Sequence, residues 1–261
     1  MCVAFLSYRQ IPAIPLVLAL NRDEYYKRPT EPAHFWTEAP HVLAGRDLRE
    51  GGTWLGVNKS GNISLITSYR DVKRFNDGLP SRGGLVRDFV LQNPEAQEYL
   101  KTLQRHGSHY NGFNLVFGSL AKGLHYYSNV SGESSTLKPG SYTLSNHFLN
   151  TAWPKTIRGK AAFDALLSEC SGNVPVTDLF KLMRNDEQAG DKDLPETGVG
   201  IELERILSAI FIRSAAHGYG TRSTTIVYCT AGGRLFFTER TYLPDNTCSV
   251  LEYSFDVGVS E

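Results

Sequence analysis

The sequence predicts a layered α+β fold, with groups of strands interrupted by helices, and three observations carry that prediction. Strand-like segments come in consecutive groups rather than alternating one by one with helices, which argues against a doubly wound sheet. The 261 residues contain no Pro/Ser-rich stretch to divide them, so residues 1–261 are read as one domain near the upper limit of a single core. Hydrophobic residues make up 41% and charged residues 21%, which fits a globular chain and excludes a disordered or fibrous one.

The elements follow in order. Met1 to Leu6 and Ile14 to Leu20 are short apolar runs joined by Ser7 to Pro12, and predict an opening hairpin. Gly51 to Val57 and Ile63 to Thr67 predict a second strand pair, turning at Lys59-Ser60-Gly61. From Gly84 to Leu103 the apolar residues Leu85, Val86, Phe89, Val90, Tyr99, Leu100 and Leu103 recur at helical spacing, broken at Asn93-Pro94, which gives two helices. Segments 113–118, 124–127 and 140–145 predict a meander. Helices are predicted over 154–167 and 176–184, followed by an acidic surface loop near 185–197. The chain then closes with strands at 209–212, 224–229, 235–238 and 250–254. Gly51-Gly52 and Gly83-Gly84 lack the context of nucleotide-binding loops and read as turns.

Composition bounds the partners. Lys plus Arg equals Asp plus Glu at 27 each, which removes the electrostatic reason to expect nucleic acid. A small amphipathic ligand fits better. No basic segment with a cleavage site opens the chain and no window approaches 18 apolar residues, so a cytoplasmic protein without an integral membrane segment is expected. The cysteines Cys2, Cys170, Cys229 and Cys248 lack metal-binding or redox spacing and read as reduced thiols, so no metal site is expected. Cys229 lies in an apolar run and reads as a small core residue.

Two features carry chemistry. Trimming of an initiator methionine would leave Cys2 with its thiol beside a free α-amino group of pKa near 8, a base for its own side chain. Asn21-Arg22-Asp23-Glu24 ends the apolar run from Leu16; in a strand, Asn21 and Asp23 share one face while Arg22 and Glu24 share the other. One of those pairs can then face Cys2, where an Arg lowers a thiol pKa and an Asp orients the amine. Trp54, Trp36 and Phe35 are candidates for a pocket wall or for simple core.

The opening Met1-Cys2, Asn21-Arg22-Asp23-Glu24, Arg28-Pro29, Phe35-Trp36, Gly51-Gly52-Thr53-Trp54-Leu55-Gly56, Tyr110 to Leu115, Leu144-Ser145-Asn146, Gly218-Tyr219-Gly220-Thr221-Arg222 and Phe237-Thr238-Glu239-Arg240 together resemble the NRDE family, also called the transport and Golgi organisation protein 2 family. The resemblance runs in order over nearly the whole chain. It implies a four-layer αββα sandwich of the N-terminal-nucleophile hydrolase type, related in layout to choloylglycine hydrolases and penicillin V acylases.

By that resemblance the catalytic positions are Cys2, Arg22, Asp23, Asn146 and Arg222, with Asn21, Glu24, Trp54, Ser68, His147 and Tyr219 as ligand-binding candidates. The hydrolases carry Arg-Asn-x-Asp where this chain carries Asn-Arg-Asp-Glu, which leaves open which of Arg22, Asp23 and Glu24 takes each role. Thr67-Ser68-Tyr69 stands where they carry an oxyanion-hole Asn, a donor that contributes roughly 3–4 kcal/mol to acyl transfer. The family association implies an intracellular handler of haem, carried as a ligand rather than required as a cofactor, or of an acyl-CoA. His147 and His217 adjoin family-like motifs and are the candidates to ligate iron. A Cys2-dependent amidohydrolase or thioesterase is the alternative.

Overall fold

The computed structural model describes residues 2–170, 172–243 and 247–258. Among these lie strands β1 (Cys2–Ile11), β2 (Ile14–Tyr25), β3 (Thr30–Trp36), β4 (Ala39–Asp47), β5 (Leu55–Asn58) and β6 (Asn62–Ser68), then helices α1 (Gly83–Gln92) and α2 (Ala96–His106). Strands β7 (Phe113–Ser119), β8 (Gly123–Ser128), β9 (Ser134–Thr136) and β10 (Gly140–Leu144) follow, and then helices α3 (Pro154–Ser168), α4 (Val176–Met183) and α5 (Ile201–Leu207). Strands β11 (Arg213–Ser214), β12 (Tyr219–Cys229), β13 (Arg234–Tyr242) and β14 (Cys248–Asp256) complete the order.

The strands form two antiparallel sheets. One runs β10-β1-β2-β12-β13-β14, with β11 on β12, and the other β3-β4-β5-β6-β7-β8-β9. Ala4, Leu6, Leu18 and Leu20 pack against Leu55, Leu65 and Val116 between the sheets. Helices α1 and α2 cover the far face of the second sheet through Val86, Phe89 and Leu103 on Leu115 and Phe117. Helices α3 and α4 cover the far face of the first through Phe163, Leu179 and Phe180 on Val3, Phe5 and Val17. The layers are therefore αββα, the sandwich that the resemblance implies. Each such fully buried side chain contributes about 1.5–3 kcal/mol of apolar transfer. Strands β1 and β2 are covered on both faces, which is why their sequences read as continuous apolar runs rather than alternating ones.

Two glycines permit the close approaches that shape the site. A Cβ on Gly159 of α3 would stand 2.1 Å from a ring carbon of Phe5, so α3 lies directly on β1. A Cβ on Gly52 would stand 2.4 Å from the carbonyl carbon of Gly83, so the 51–54 loop presses against the start of α1.

Several expectations shift. The opening hairpin is longer, since Arg9 takes a left-handed φ of 51° in a bulge and the strand continues to Ile11. Strands β3 and β4 lie in a stretch the sequence left unread, where prolines and polar residues mask the pattern. The segment before Leu55 is loop. Residues 209–212, expected as a strand, form a buried bend, because Ile210 O accepts from Asn21 Nδ2, Phe211 N–H donates to Asn185 O and Ile212 N–H donates to Thr221 Oγ1, which takes these groups out of a strand ladder. Among the described residues no helix is long and apolar enough to cross a membrane.

Candidate active site

The period-two alternation of β2 decides what its polar end can do. Arg22 pairs with Cys2 across the β1–β2 ladder, and Asn21 pairs with Val3, whose side chain packs under the helices. Arg22 and Glu24 therefore face the gap between the sheets, while Asn21 and Asp23 lie toward the helical layer.

On the inter-sheet side, Cys2, Arg22 and Glu24 line a cavity of about 130 Å³ together with Trp54, Ser68 and Arg82. Asp23 reaches it at the strand end, and Arg28 and Asp47 stand in its wall. The Arg22 guanidinium lies 4.1 Å from the centre of the Trp54 ring and donates to Thr30 Oγ1 at 2.9 Å. Arg28 donates twice to Asp47 Oδ2, at 2.9 and 2.6 Å, and stands 3.8 Å from Glu24. Arg82 is held by its donation to Gly112 O at 2.9 Å. Burial raises the pKa of the Cys2 thiol, and the charge of Asp23 raises it further; the Asp23 backbone N–H and the Arg22 guanidinium pull it back.

On the helical side, Asn21 Nδ2 donates to Met183 O at 2.8 Å and Ile210 O at 2.9 Å, and its Oδ1 accepts from Thr224 Oγ1 at 2.6 Å. Its amide nitrogen ties β2 to the ends of the helical layer and its oxygen to β12, and it does not line the cavity. Asp23 Oδ1 accepts from Thr221 Oγ1 at 2.7 Å, and burial raises the carboxyl pKa against the opposing charges of Lys155 and Arg70.

The other candidates scatter. Asn146 is fully buried one step behind the cavity: its Nδ2 donates to Ser68 O at 3.1 Å, and Ser145 Oγ bridges to Cys2 O at 3.2 Å. Arg222 does not line the cavity. It is the extra residue of a bulge in β12, between Thr221 opposite Asp23 and Ser223 opposite Arg22, and donates to the carbonyls of Tyr25, Tyr26 and Arg28. His147 is also elsewhere, with Nε2 against Tyr69 Oη and Nδ1 against Thr151 Oγ1, both at 2.9 Å. His217 Nδ1 meets Ser214 Oγ at 2.7 Å. The Tyr219 ring meets Tyr25 edge-on at 5.2 Å, and burial pushes its phenol well above the ordinary value.

Sequence reasoning missed Arg70, Arg82, Lys155 and Glu204. Arg70 pairs with Glu204 at 2.7 Å, both side chains about 4% exposed, and reaches Asn146 Oδ1 at 3.3 Å. A signal existed for Lys155: a lysine just after Pro154 in a helix's first turn opposes the macrodipole and needs a reason to be there.

A thiol with guanidinium and hydroxyl donors across a small polar cavity is suited to nucleophilic attack on a carbonyl and to holding the charge that develops there. Comparisons with known proteins bear on the fold and on the family. The chain resembles the C2A mutant of the conjugated bile acid hydrolase from Clostridium perfringens with a TM-score of 0.53, at 8% identity, covering 100% of this chain and 98% of that one. It resembles the Caenorhabditis elegans N-acylethanolamine-hydrolyzing acid amidase ortholog with a TM-score of 0.51, at 9% identity, covering 96% and 100%. In sequence it is 36% identical to the Transport and Golgi organization 2 homolog of Mus musculus over 266 residues, 95% of each chain. It is 36% identical to the human homolog over 93% of this chain and 94% of that one. The family described as Transport and Golgi organisation 2 matches residues 1–244, and the chain belongs to that family.

Proposed function

We propose that the protein is an N-terminal cysteine hydrolase that cleaves an amide or thioester bond of an acyl compound. The observation that carries this reading is the placement of Cys2 in the cavity wall, cross-strand from Arg22 and within reach of the Asp23 backbone N–H. The reading requires removal of the initiator methionine. The freed α-amino group then takes the thiol proton and the sulfur keeps the electron pair. The thiolate adds to the carbonyl carbon, the C–N or C–S bond breaks, and the leaving group departs with the ammonium proton. Water hydrolyses the acyl thioester, giving a carboxylic acid and restoring the thiol. The Arg82 guanidinium and the Ser68 hydroxyl, both in the cavity wall, are the donors for the developing oxyanion. The shared fold with two proteins named as a bile acid hydrolase and an acid amidase supports the same reading.

At about 130 Å³ the cavity beside Cys2 receives only the reacting carbonyl end of an acyl compound, whereas enclosing a whole ligand such as haem takes roughly 300–1,000 Å³. An acyl-CoA enters this reading as a thioester substrate rather than as cargo. The test incubates the purified protein with long-chain N-acyl amides and acyl thioesters, and follows free acid together with intact mass. Expected are a chain beginning at Cys2, an acyl adduct on it, and loss of both adduct and turnover in Cys2→Ala. A retained methionine, or a processed chain that acquires no adduct from any substrate, defeats the hydrolase reading. Binding of haem or palmitoyl-CoA more tightly than to albumin, unchanged by Cys2→Ala, would favour the carrier.

A further inference from the structure

Three loops leave the wall of the Cys2 cavity and return to it. Residues 25–27 run between the wall residues Glu24 and Arg28, residues 48–52 between Asp47 and Thr53, and residues 69–80 between Ser68 and Ser81. The three loops are therefore the rim of the cavity. The first two are held side by side, since Arg28 donates to Asp47 at 2.6 Å and Leu48 N–H donates to Pro29 O at 3.1 Å. The third follows β6 and is fixed at its start by the donation of Tyr69 N–H to Gly112 O at 2.9 Å.

These short stretches carry five of the nine large hydrophobic side chains that stand exposed among the described residues, namely Tyr25, Tyr26, Leu48, Val72 and Phe75. Tyr25 is 59% exposed and Phe75 56%, so each leaves more than half of its surface in water. Single exposed hydrophobics are ordinary, but a gathering of them around one opening marks a surface that something covers. An exposed base adjoins each group: Lys27 follows Tyr25-Tyr26, Arg49 follows Leu48, and Lys73-Arg74 lie between Val72 and Phe75. Two of the acids on these loops are answered within them, Glu50 at 3.5 Å from Arg49 and Asp71 at 3.5 Å from Arg74. Asp77 remains, against Lys27 and Lys73, while Arg70 is buried on Glu204 and takes no part in the rim surface.

Two facts choose the occupant. The cavity, about 130 Å³ and walled by three arginines and three carboxylates, has no place for a hydrocarbon chain, so the chain of an acyl substrate stays outside, at the rim. Apolar tips set beside bases match the boundary of a lipid layer, where rings sit among the head groups and ammonium and guanidinium groups reach the phosphates.

We propose that the rim docks the protein on a lipid surface. Tyr25, Leu48, Val72 and Phe75 enter the boundary between head groups and acyl chains, and the Cys2 cavity takes the carbonyl end of its substrate from the lipid phase. The purpose given to docking rests on the hydrolase reading, but docking itself is measured with no substrate present.

The experiment mixes the purified full chain with sedimentable phosphatidylcholine vesicles, plain or with about one fifth phosphatidylserine, and reads the bound fraction. Sedimentation velocity without lipid gives the oligomeric state. The wild type is expected to bind both vesicles, with the anionic lipid raising affinity about threefold to tenfold through Lys27 and Lys73. Tyr25→Ser with Phe75→Ser, at exposed positions outside the cavity wall, should lower affinity at least about tenfold and leave the thermal transition unmoved. Val250→Ser, an equally exposed position on the edge strand β14, should stay within about twofold of wild type. A wild type that binds no vesicle overturns the inference, as does binding that the double variant leaves intact or that Val250→Ser weakens equally. So does a dimer in the absence of lipid that the double variant dissociates, because a second copy would then cover the rim. Vesicle binding through the rim with no turnover of any acyl substrate keeps the inference and loses the hydrolase reading. Turnover of a dissolved short-chain thioester without vesicle binding does the reverse.

Discussion

Asn21 and Arg22 are neighbours in the chain and both are buried, at 0% and 5% exposure, yet they serve opposite sides of one sheet. Arg22 lies over Trp54 in the inter-sheet cavity with Cys2, whereas Asn21 fastens β2 to the carbonyls of Met183 and Ile210. Glu24 and Asp23 repeat the division one step along. A polar cluster at the end of an apolar strand is thus half site and half scaffold. Mutation of the two halves should separate chemistry from stability.

The largest effect is expected on the scaffold side. Arg70→Met leaves Glu204 charged and buried, and should destabilise the fold by about 3–5 kcal/mol in chemical denaturation. A loss well below that would mean that Glu204 gains water or a proton, and that the buried cluster is looser than its 2.7 Å contact implies. Asn21→Ala should cost about 2–4 kcal/mol, since it strands two buried carbonyls and the Thr224 hydroxyl, while alkylation of Cys2 in the folded protein stays unchanged. Slowed alkylation there would break the division between the two faces.

Lys155→Met has the opposite sign. The folded lysine sits at about 7 and the unfolded one at its ordinary 10.5, so between those values the unfolded chain binds the extra proton and wild-type stability rises with pH. The advantage of the methionine variant should therefore be greatest below about pH 7 and shrink by about 1.4 kcal/mol per pH unit above it. Paired denaturation curves at several pH values check the slope; a constant difference would place the amine in contact with water. The smallest stability effect belongs to the cavity side. Arg22→Met should change stability by about 1 kcal/mol, because its aliphatic replacement still packs on Trp54, yet slow Cys2 alkylation at neutral pH about threefold to tenfold. The reverse ranking would make Arg22 a structural residue.

How much of this was legible follows from which signals are local. The helices from Gly83 to His106 could be read because their apolar spacing and the Asn93-Pro94 break are contained in the segment itself. Strands β3 and β4 were not, because Pro32, Pro40 and flanking polar residues interrupt the alternation while neighbouring strands supply the burial. The site divides in the same way. Cys2, Arg22, Asp23 and Glu24 were visible as chemistry at a strand start and a strand end, and the hairpin ladder brings them together over a short loop. Arg222 looked equivalent but is re-aimed by a one-residue bulge, which depends on the register of β12 against β2 rather than on its own neighbours.

By itself, then, the sequence determined the α+β class, the opening hairpin and the alternation that splits residues 21–24 between two faces, because each follows from backbone periodicity over a few residues, whereas the register that sets Cys2 opposite Arg22 depends on the bulge after Tyr8. Only the tertiary structure decided which face is the cavity and which is the scaffold. It also decided that Arg70 and Glu204, 134 residues apart in the chain, meet as a buried ion pair. Burial and charge pairing between such distant segments depend on how the sheets and helices stack, and no local pattern encodes that.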